Sequence, residues 1–226
     1  KPLFGGNNYM SELIEKIRKP ISETSPCGDD VKYDDDYGML QAEMNKTAEN
    51  DWDQVVKLGR TILAEKSKDL NVATWLCVGL LQLNGFEGLA DGLEGYRILL
   101  QDYWDGLYPS KVRARMGAVQ LLNSRLGGDS KTSGLIEVHK ATPKDTEALE
   151  KIRDTVKVLR TEVQEKIGSV DLGNIATAIE EKLKAVGTST PPPAPRAPER
   201  ASEQPPERQP KPPEETAPAP PVQHPQ

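Results

Sequence analysis

Apolar residues recur at helical spacing along nearly the whole chain up to residue 186, and no stretch keeps a period-2 alternation over five or more residues. This pattern dictates an all-α fold. Proline sets the limit on what can join it, because 14 of the 19 prolines fall in the last 40 of 226 positions. Residues 187–226 hold no aromatic residue, no Leu or Ile and a single valine, Val222, too little apolar surface to offset the entropy of ordering. The chain therefore divides into a foldable region and, over 187–226, a disordered Pro-rich linker or tail.

Within the foldable region Ser11 caps a first helix that runs to Arg18, with Leu13, Ile14 and Ile17 as its stripe and Pro20 at its end. Residues 22–30, rich in Pro, Gly and Asp, read as a loop, and a second helix is expected over 35–48. Asp51 is placed to cap a third helix carrying Trp52, Val55, Val56, Leu58, Ile62 and Leu63, which Ser67-Lys68-Asp69 breaks. Asp69 then caps a helix over 70–83 that is apolar on more than one face, which puts it at the centre of the domain. Gly85-Phe86-Glu87-Gly88 ends that helix, and a longer one follows over 89–108 before Pro109. Gly88, Gly92 and Gly95 thin one side here and allow a neighbouring helix to approach closely, at about 1 kcal/mol of propensity per interior glycine.

A further helix is expected over 112–126, a flexible glycine-rich stretch over 127–134 and a short extended piece over 135–141. Thr142-Pro143 opens another helix, striped by Leu149, Ile152, Val156, Leu159, Val163 and Ile167, and 171–186 can form a last one. All 11 aromatic residues lie at or before Tyr108, so the tight core is assigned to a helical domain over 8–127, with 142–186 as a helical extension or hairpin.

The formal charge of −6 argues against a nucleic-acid-binding face. The acid is concentrated: residues 23–51 hold nine carboxylates against Lys32 and Lys46. No apolar run approaches the ~20 residues of a membrane span, and no signal-peptide apolar region is visible. Cys77 sits in an apolar run and reads as a buried small hydrophobe, and two cysteines do not make a disulfide scaffold.

Four groups of residues are of types that could support chemistry or membrane packing. The cluster Asp29, Asp30, Asp34, Asp35 and Asp36 lacks the ligand spacing of a calcium loop and reads as a solvated loop and helix N-terminus, or as a protein-contact edge. Ser130-Lys131-Thr132 lacks the glycines of a phosphate loop. Cys27 and His139 have no accompanying motif, His224 lies in the tail, and no metal-ligand spacing exists. The spacing of Gly88 and Gly92 suggests a membrane helix dimer, but Asp91, Glu94 and Arg97 argue for soluble packing. No catalytic, cofactor-binding or metal residue is therefore assigned, and the composition is that of an adaptor or scaffold.

An ordered set of motifs goes further. Pro20-Ile21-Ser22, Ser25-Pro26-Cys27-Gly28-Asp29-Asp30, Tyr33-Asp34, Asp51-Trp52, Ser67-Lys68-Asp69-Leu70, Trp75-Leu76, Gly85-Phe86-Glu87-Gly88-Leu89, Gly92-Leu93 and Tyr103-Trp104-Asp105-Gly106-Leu107-Tyr108-Pro109 succeed one another at spacings that closely resemble the ImpA N-terminal domain. That domain opens the TssA proteins of bacterial type VI secretion systems, and the resemblance covers about residues 17–126. It departs at Asn71, where the family usually shows Arg, and between Pro109 and Arg113, where relatives often carry an acidic insertion.

The resemblance implies a non-enzymatic, cytoplasmic assembly factor of a contractile injection machine. Its implied partners are baseplate, tail-tube, sheath and membrane-complex proteins, with recruitment to the inner-membrane-associated complex. Oligomerisation would belong to the full-length protein, and the tail would link to further domains or be the natural end of a short member. Pro26, Gly28, Tyr33, Trp52, Ser67, Lys68, Asp69, Trp75, Gly85, Phe86, Gly88, Gly92, Trp104 and Pro109 are then mainly structural, and Asp29, Asp30, Asp34, Asp35 and Asp36 form the candidate interaction edge. The competing class is a generic helical adaptor whose Pro-rich tail is bound by an aromatic-grooved partner domain.

Overall fold

The computed structural model describes residues 6–188; residues 187–188, expected in the tail, close the last helix, and the rest of the Pro-rich tail with the functions read into it lies outside the described residues. Eight helices follow in order among the described residues, with no strand: α1 Gly6–Arg18, α2 Asp35–Met44, α3 Trp52–Thr61, α4 Leu70–Asp102, α5 Val112–Gly127, α6 Leu135–Val138, α7 Thr146–Lys166 and α8 Gly173–Thr188.

The capping aspartates act as their positions demand. Asp51 accepts from the Gln54 amide at 3.0 Å, and Asp69 accepts from Asn71 and Val72 at 2.7 and 3.0 Å. Each satisfies donors that a helix start leaves unpaired. Thr142 and Asp145 close a capping box around a 3₁₀ turn, Pro143–Asp145, that leads into α7.

The first half of α4 is buried on all sides, from Leu70 through Leu81 with only Asn71 half-buried, and forms the axis of the molecule. α4 breaks at Gly85 alone, where φ is +64° and ψ −147°, a conformation open in practice only to glycine. The expected terminator of four residues is thus a single residue, and helix resumes at once with the buried Phe86. The two arms then lie against each other through the glycines. A Cβ on Gly88 would stand 2.4 Å from the Leu80 carbonyl oxygen, and one on Gly92 would stand 3.1 Å from Cys77 Cα. Gly95 instead makes room for Ile17 of α1.

Several boundaries differ from the sequence expectation. α1 begins at Gly6, five residues before Ser11. α2 stops at Met44, short of residue 48. The end of the third helix widens into a π-turn, Ile62–Lys66. The second arm of α4 stops at Asp102, so residues 103–109 form a loop with a cis Tyr108–Pro109 bond. The stretch expected to be extended at 135–141 is instead the single turn α6, with Ile136 buried.

α7 lies along α4, and α8 packs on α5 and α7. Leu149, Ile152, Val156, Leu159 and Val163 of α7, with Leu172, Ile175 and Ile179, are buried in the same continuous core as Leu76, Leu93 and Tyr96. The stripe read in α7 is thus the side that closes the core. Its lack of aromatic residues is met by the dense aliphatic packing of α4.

Candidate docking site

Three motif segments, far apart in sequence, run together at one place on the surface. Residues 67–69 lie in the middle, extended between the π-turn and α4. On one side the Lys68 amide donates to the Cys27 carbonyl at 2.8 Å and the Asp29 amide to the Lys66 carbonyl at 3.2 Å. On the other, the Tyr108 amide donates to the Lys68 carbonyl at 2.9 Å, and the Leu70 amide to the Tyr108 carbonyl at 2.9 Å. Gly28 is required at this crossing: its φ is +71°, and a Cβ would lie 1.9 Å from the Lys66 carbonyl oxygen.

Two buried cations secure this junction without a carboxylate. Lys68 is 0% exposed, and its Nζ donates to the carbonyls of Ile17 at 2.8 Å and Leu63 at 2.9 Å. The face of Tyr103 lies 5.1 Å from that nitrogen. Burial pushes the Lys68 ammonium down to about 8, and Asp69, also buried, up to about 6 despite its two amide donors. Arg115 of α5 is 4% exposed and donates to the carbonyls of Pro109 at 2.8 Å, Trp104 at 2.6 Å and Leu107. Its guanidinium also stands 4.5 Å from the Trp104 ring, and burial lowers its pKa. Tyr103 ties the same loop to α1 through its hydroxyl, which donates to the Arg18 carbonyl at 2.7 Å. The buried Ser67 hydroxyl has no hydrogen-bond partner.

Outside this junction lies an open cleft of about 550 Å³ between residues 24–28 and 101–108, with Lys166 of α7 at its edge. Pro26 is exposed there, Trp104 and Tyr108 are half-buried, and Asp102 and Asp105 are exposed. The Cys27 thiol lies at the cleft floor, donates to the Tyr103 carbonyl at 3.6 Å, and is held protonated by burial.

The five aspartates of the expected edge are used unequally. Asp34 caps α2 through the Asp36 amide at 2.9 Å, and Lys66 grips both Asp34 at 2.8 Å and Asp36 at 2.7 Å. Lys66 holds the Asp34 carboxyl below the usual carboxylate range. Asp30 caps a 3₁₀ turn, Val31–Tyr33, through the Lys32 amide at 3.0 Å but stays exposed, as do Asp29 and Asp35. Tyr33 is 87% exposed, with Lys32 Nζ 4.5 Å above its ring, and so contributes little packing.

Trp75 and Phe86 lie in the core, and Trp52 is half-buried against it. Trp75 meets the Tyr37 ring at 5.3 Å. His139 packs edge-on against Phe86 at 5.5 Å, in surroundings unlike those of Cys27. Among the described residues no group of three or more His, Cys, Asp or Glu side chains is placed to hold a metal ion, and no helix is long and apolar enough to cross a membrane. Nothing in the sequence singles out Arg115 or Lys66: each reads as a solvent-facing cation, and Asp34, a partner of Lys66, lies 32 residues away, while the partners of Arg115 are backbone carbonyls of a loop.

Residues 18–124 match the family model described as ImpA, N-terminal, type VI secretion system. The type VI secretion system component TssA1 of Pseudomonas aeruginosa is 38% identical over 101 residues, an alignment covering 39% of this chain and 29% of that protein. The chain thus spans under a third of the length of that relative. The fold is similar to the solved N-terminal domain, including the ImpA_N region, of the TssA component from Burkholderia cenocepacia. The TM-score is 0.67 at 18% identity, covering 77% of this chain and 92% of the other.

Proposed function

We propose that this chain, whose residues 18–124 match the family model of the ImpA N-terminal domain of the type VI secretion system, is a non-enzymatic docking module. In this role it binds baseplate, tail-tube, sheath or membrane-complex components while the contractile tail is built. It works in the cytoplasm and is recruited to the inner-membrane-associated complex, and stable homo-oligomers form only in a longer protein that carries further domains.

The observation that carries this reading is the convergence of residues 25–29, 67–69 and 104–109 on one hydrogen-bonded junction. Two buried cations hold that junction from within, and exposed aspartates stand on the loop that emerges from it. A rigid frame presenting charged groups loses little conformational freedom when it binds, which suits a protein contact. The contact takes its charge from Asp29, Asp30 and Asp35, which are exposed, whereas Asp34 and Asp36 are engaged by Lys66.

The test is co-purification of the full chain with baseplate, tube, sheath and membrane-complex proteins of the same secretion system, wild type beside an Asp29→Asn, Asp30→Asn, Asp35→Asn variant. Binding of one component by the wild type, weakened in the variant, is the expected result. No binding to any component overturns the docking reading, and undiminished binding by the variant removes the aspartates from it.

A further inference from the structure

The cleft between residues 24–28 and 101–108 has properties that select its occupant. Its walls are two loops tied to residues 67–69 and pinned by Arg115, so a ligand would meet a surface already in place. Pro26, Trp104 and Tyr108 give it apolar sides. A volume of about 550 Å³ holds a few side chains of an extended segment, whereas a helix with its side chains is about 10–12 Å across.

The unpaired charge in the cleft, at Asp105, and on the loop that leaves it after Gly28 has one sign. Of the cations nearby, Lys166 is bridged to Glu162 at 3.4 Å, and Arg18 is shared between Glu94 and Asp102 at 3.8 and 3.6 Å. Lys68 and Arg115, beneath the floor, spend their donors on backbone carbonyls. Asp105 in the cleft, and Asp29 and Asp30 directly after Gly28, are exposed and form no ion pair with any described residue. Charge complementarity therefore calls for a cation.

We propose that this cleft binds an extended cationic segment of a partner protein. One apolar side chain of that segment lies against Trp104 and Pro26 while its Lys or Arg side chains meet Asp105, Asp29 and Asp30. The existence of a partner rests on the docking reading above. The location and the chemistry rest on the cleft.

The test uses the full chain and two labelled decapeptides, one of alternating Arg, Leu and Pro and one with Glu in place of Arg. They are titrated by fluorescence anisotropy and followed by amide and indole NMR shifts. Saturable binding of the Arg peptide is expected, with shifts confined to residues 24–30, 101–108 and the Trp104 indole. Asp105→Asn should weaken it by about fivefold and Asp105→Arg by more, while Glu87→Gln, an exposed carboxylate of α4 outside the cleft, leaves it within about twofold. The proposal is overturned if the Glu peptide binds equally, if the shifts fall elsewhere, if Glu87→Gln weakens binding as much as Asp105→Asn, or if nothing saturates by about 1 mM peptide. Any of these alongside successful co-purification moves the docking surface to another face, whereas failure of both experiments removes the docking reading itself.

Discussion

Lys68 and Asp69 are adjacent, buried and not paired with each other, and they place opposite demands on pH. Burial sets the folded-state value of Lys68, about 8, below its ordinary value. It therefore contributes stability that is present above that ordinary value and is lost as pH falls through about 8. Asp69, raised to about 6, contributes stability present below the ordinary carboxylate range and lost as pH rises through about 6. The melting temperature should accordingly rise between pH 7 and 8.5, and Lys68→Met should flatten that rise. The window stops there because the Cys27 and Cys77 thiols, held protonated by burial, pull the other way at higher pH. A wild-type rise that survives unchanged in Lys68→Met, in thermal melts across that window, would assign it to other groups. Gly28→Ala should cost more than about 2 kcal/mol in urea melts, since both the positive φ and the Lys66 carbonyl oppose a Cβ. Arg115→Met strands the buried Leu107 carbonyl and the half-buried carbonyls of Trp104 and Pro109, and should cost about 3 kcal/mol or more. At this scale the sequence shows the caps and turn glycines plainly, because an aspartate before an apolar run satisfies local amides and needs no distant partner. Arg115 was not legible: one of three arginines on a mixed helix, it looks solvated like Arg113 until a loop folded six to eleven residues upstream turns its carbonyls toward it.

The helical hairpin within α4 shows how glycine governs the approach of two elements. Gly88 and Gly92 face backbone of the opposite arm, whereas a Cβ on Gly117 in α5 would meet nothing within 4 Å. Gly92→Leu should therefore destabilise by several kcal/mol through overpacking, while Gly117→Ala should stabilise by about 0.5–1 kcal/mol through helix propensity alone. Paired denaturant titrations of the two variants check this, and equal effects would mean that the hairpin is not glycine-limited. The sequence gives notice of the close approach through glycine spacing, but not of its partner. It also places the helix break at residues 85–88, because Gly85 and Gly88 look alike in sequence. Only the structure separates Gly85, which turns the chain, from Gly88, which lies inside the resumed helix.

On the scale of the whole molecule, the family match ends at residue 124, but the packing does not. α7 covers α4 and α8 covers α5, and the solved relative extends over 77% of this chain, well beyond the matched segment. A fragment ending at residue 127 should expose those apolar faces and lose cooperative unfolding, while one ending at residue 190 should melt like the full chain. Circular dichroism melts of the two fragments decide it. Aromatic residues gather before residue 109 and suggested where the densest packing lies, yet aliphatic stripes on α7 and α8 complete the same core. A narrow stripe of Leu, Ile and Val specifies that a helix packs without specifying on what, so its destination was not legible.

The junction of residues 25–29, 67–69 and 104–109 also has a bearing on when the protein becomes competent during its synthesis. Its ties join residues widely separated along the chain, Arg18 with Tyr103 and Ile17 with Lys68, and its last clamp is Arg115. Such contacts form only after the segments between them have emerged and condensed. A ribosome-bound chain that ends between residues 109 and 114 holds both loops of the cleft but neither Arg115, which pins one of them, nor Lys166 at its edge, so a partner reading this surface responds to completed domains and passes over nascent ones.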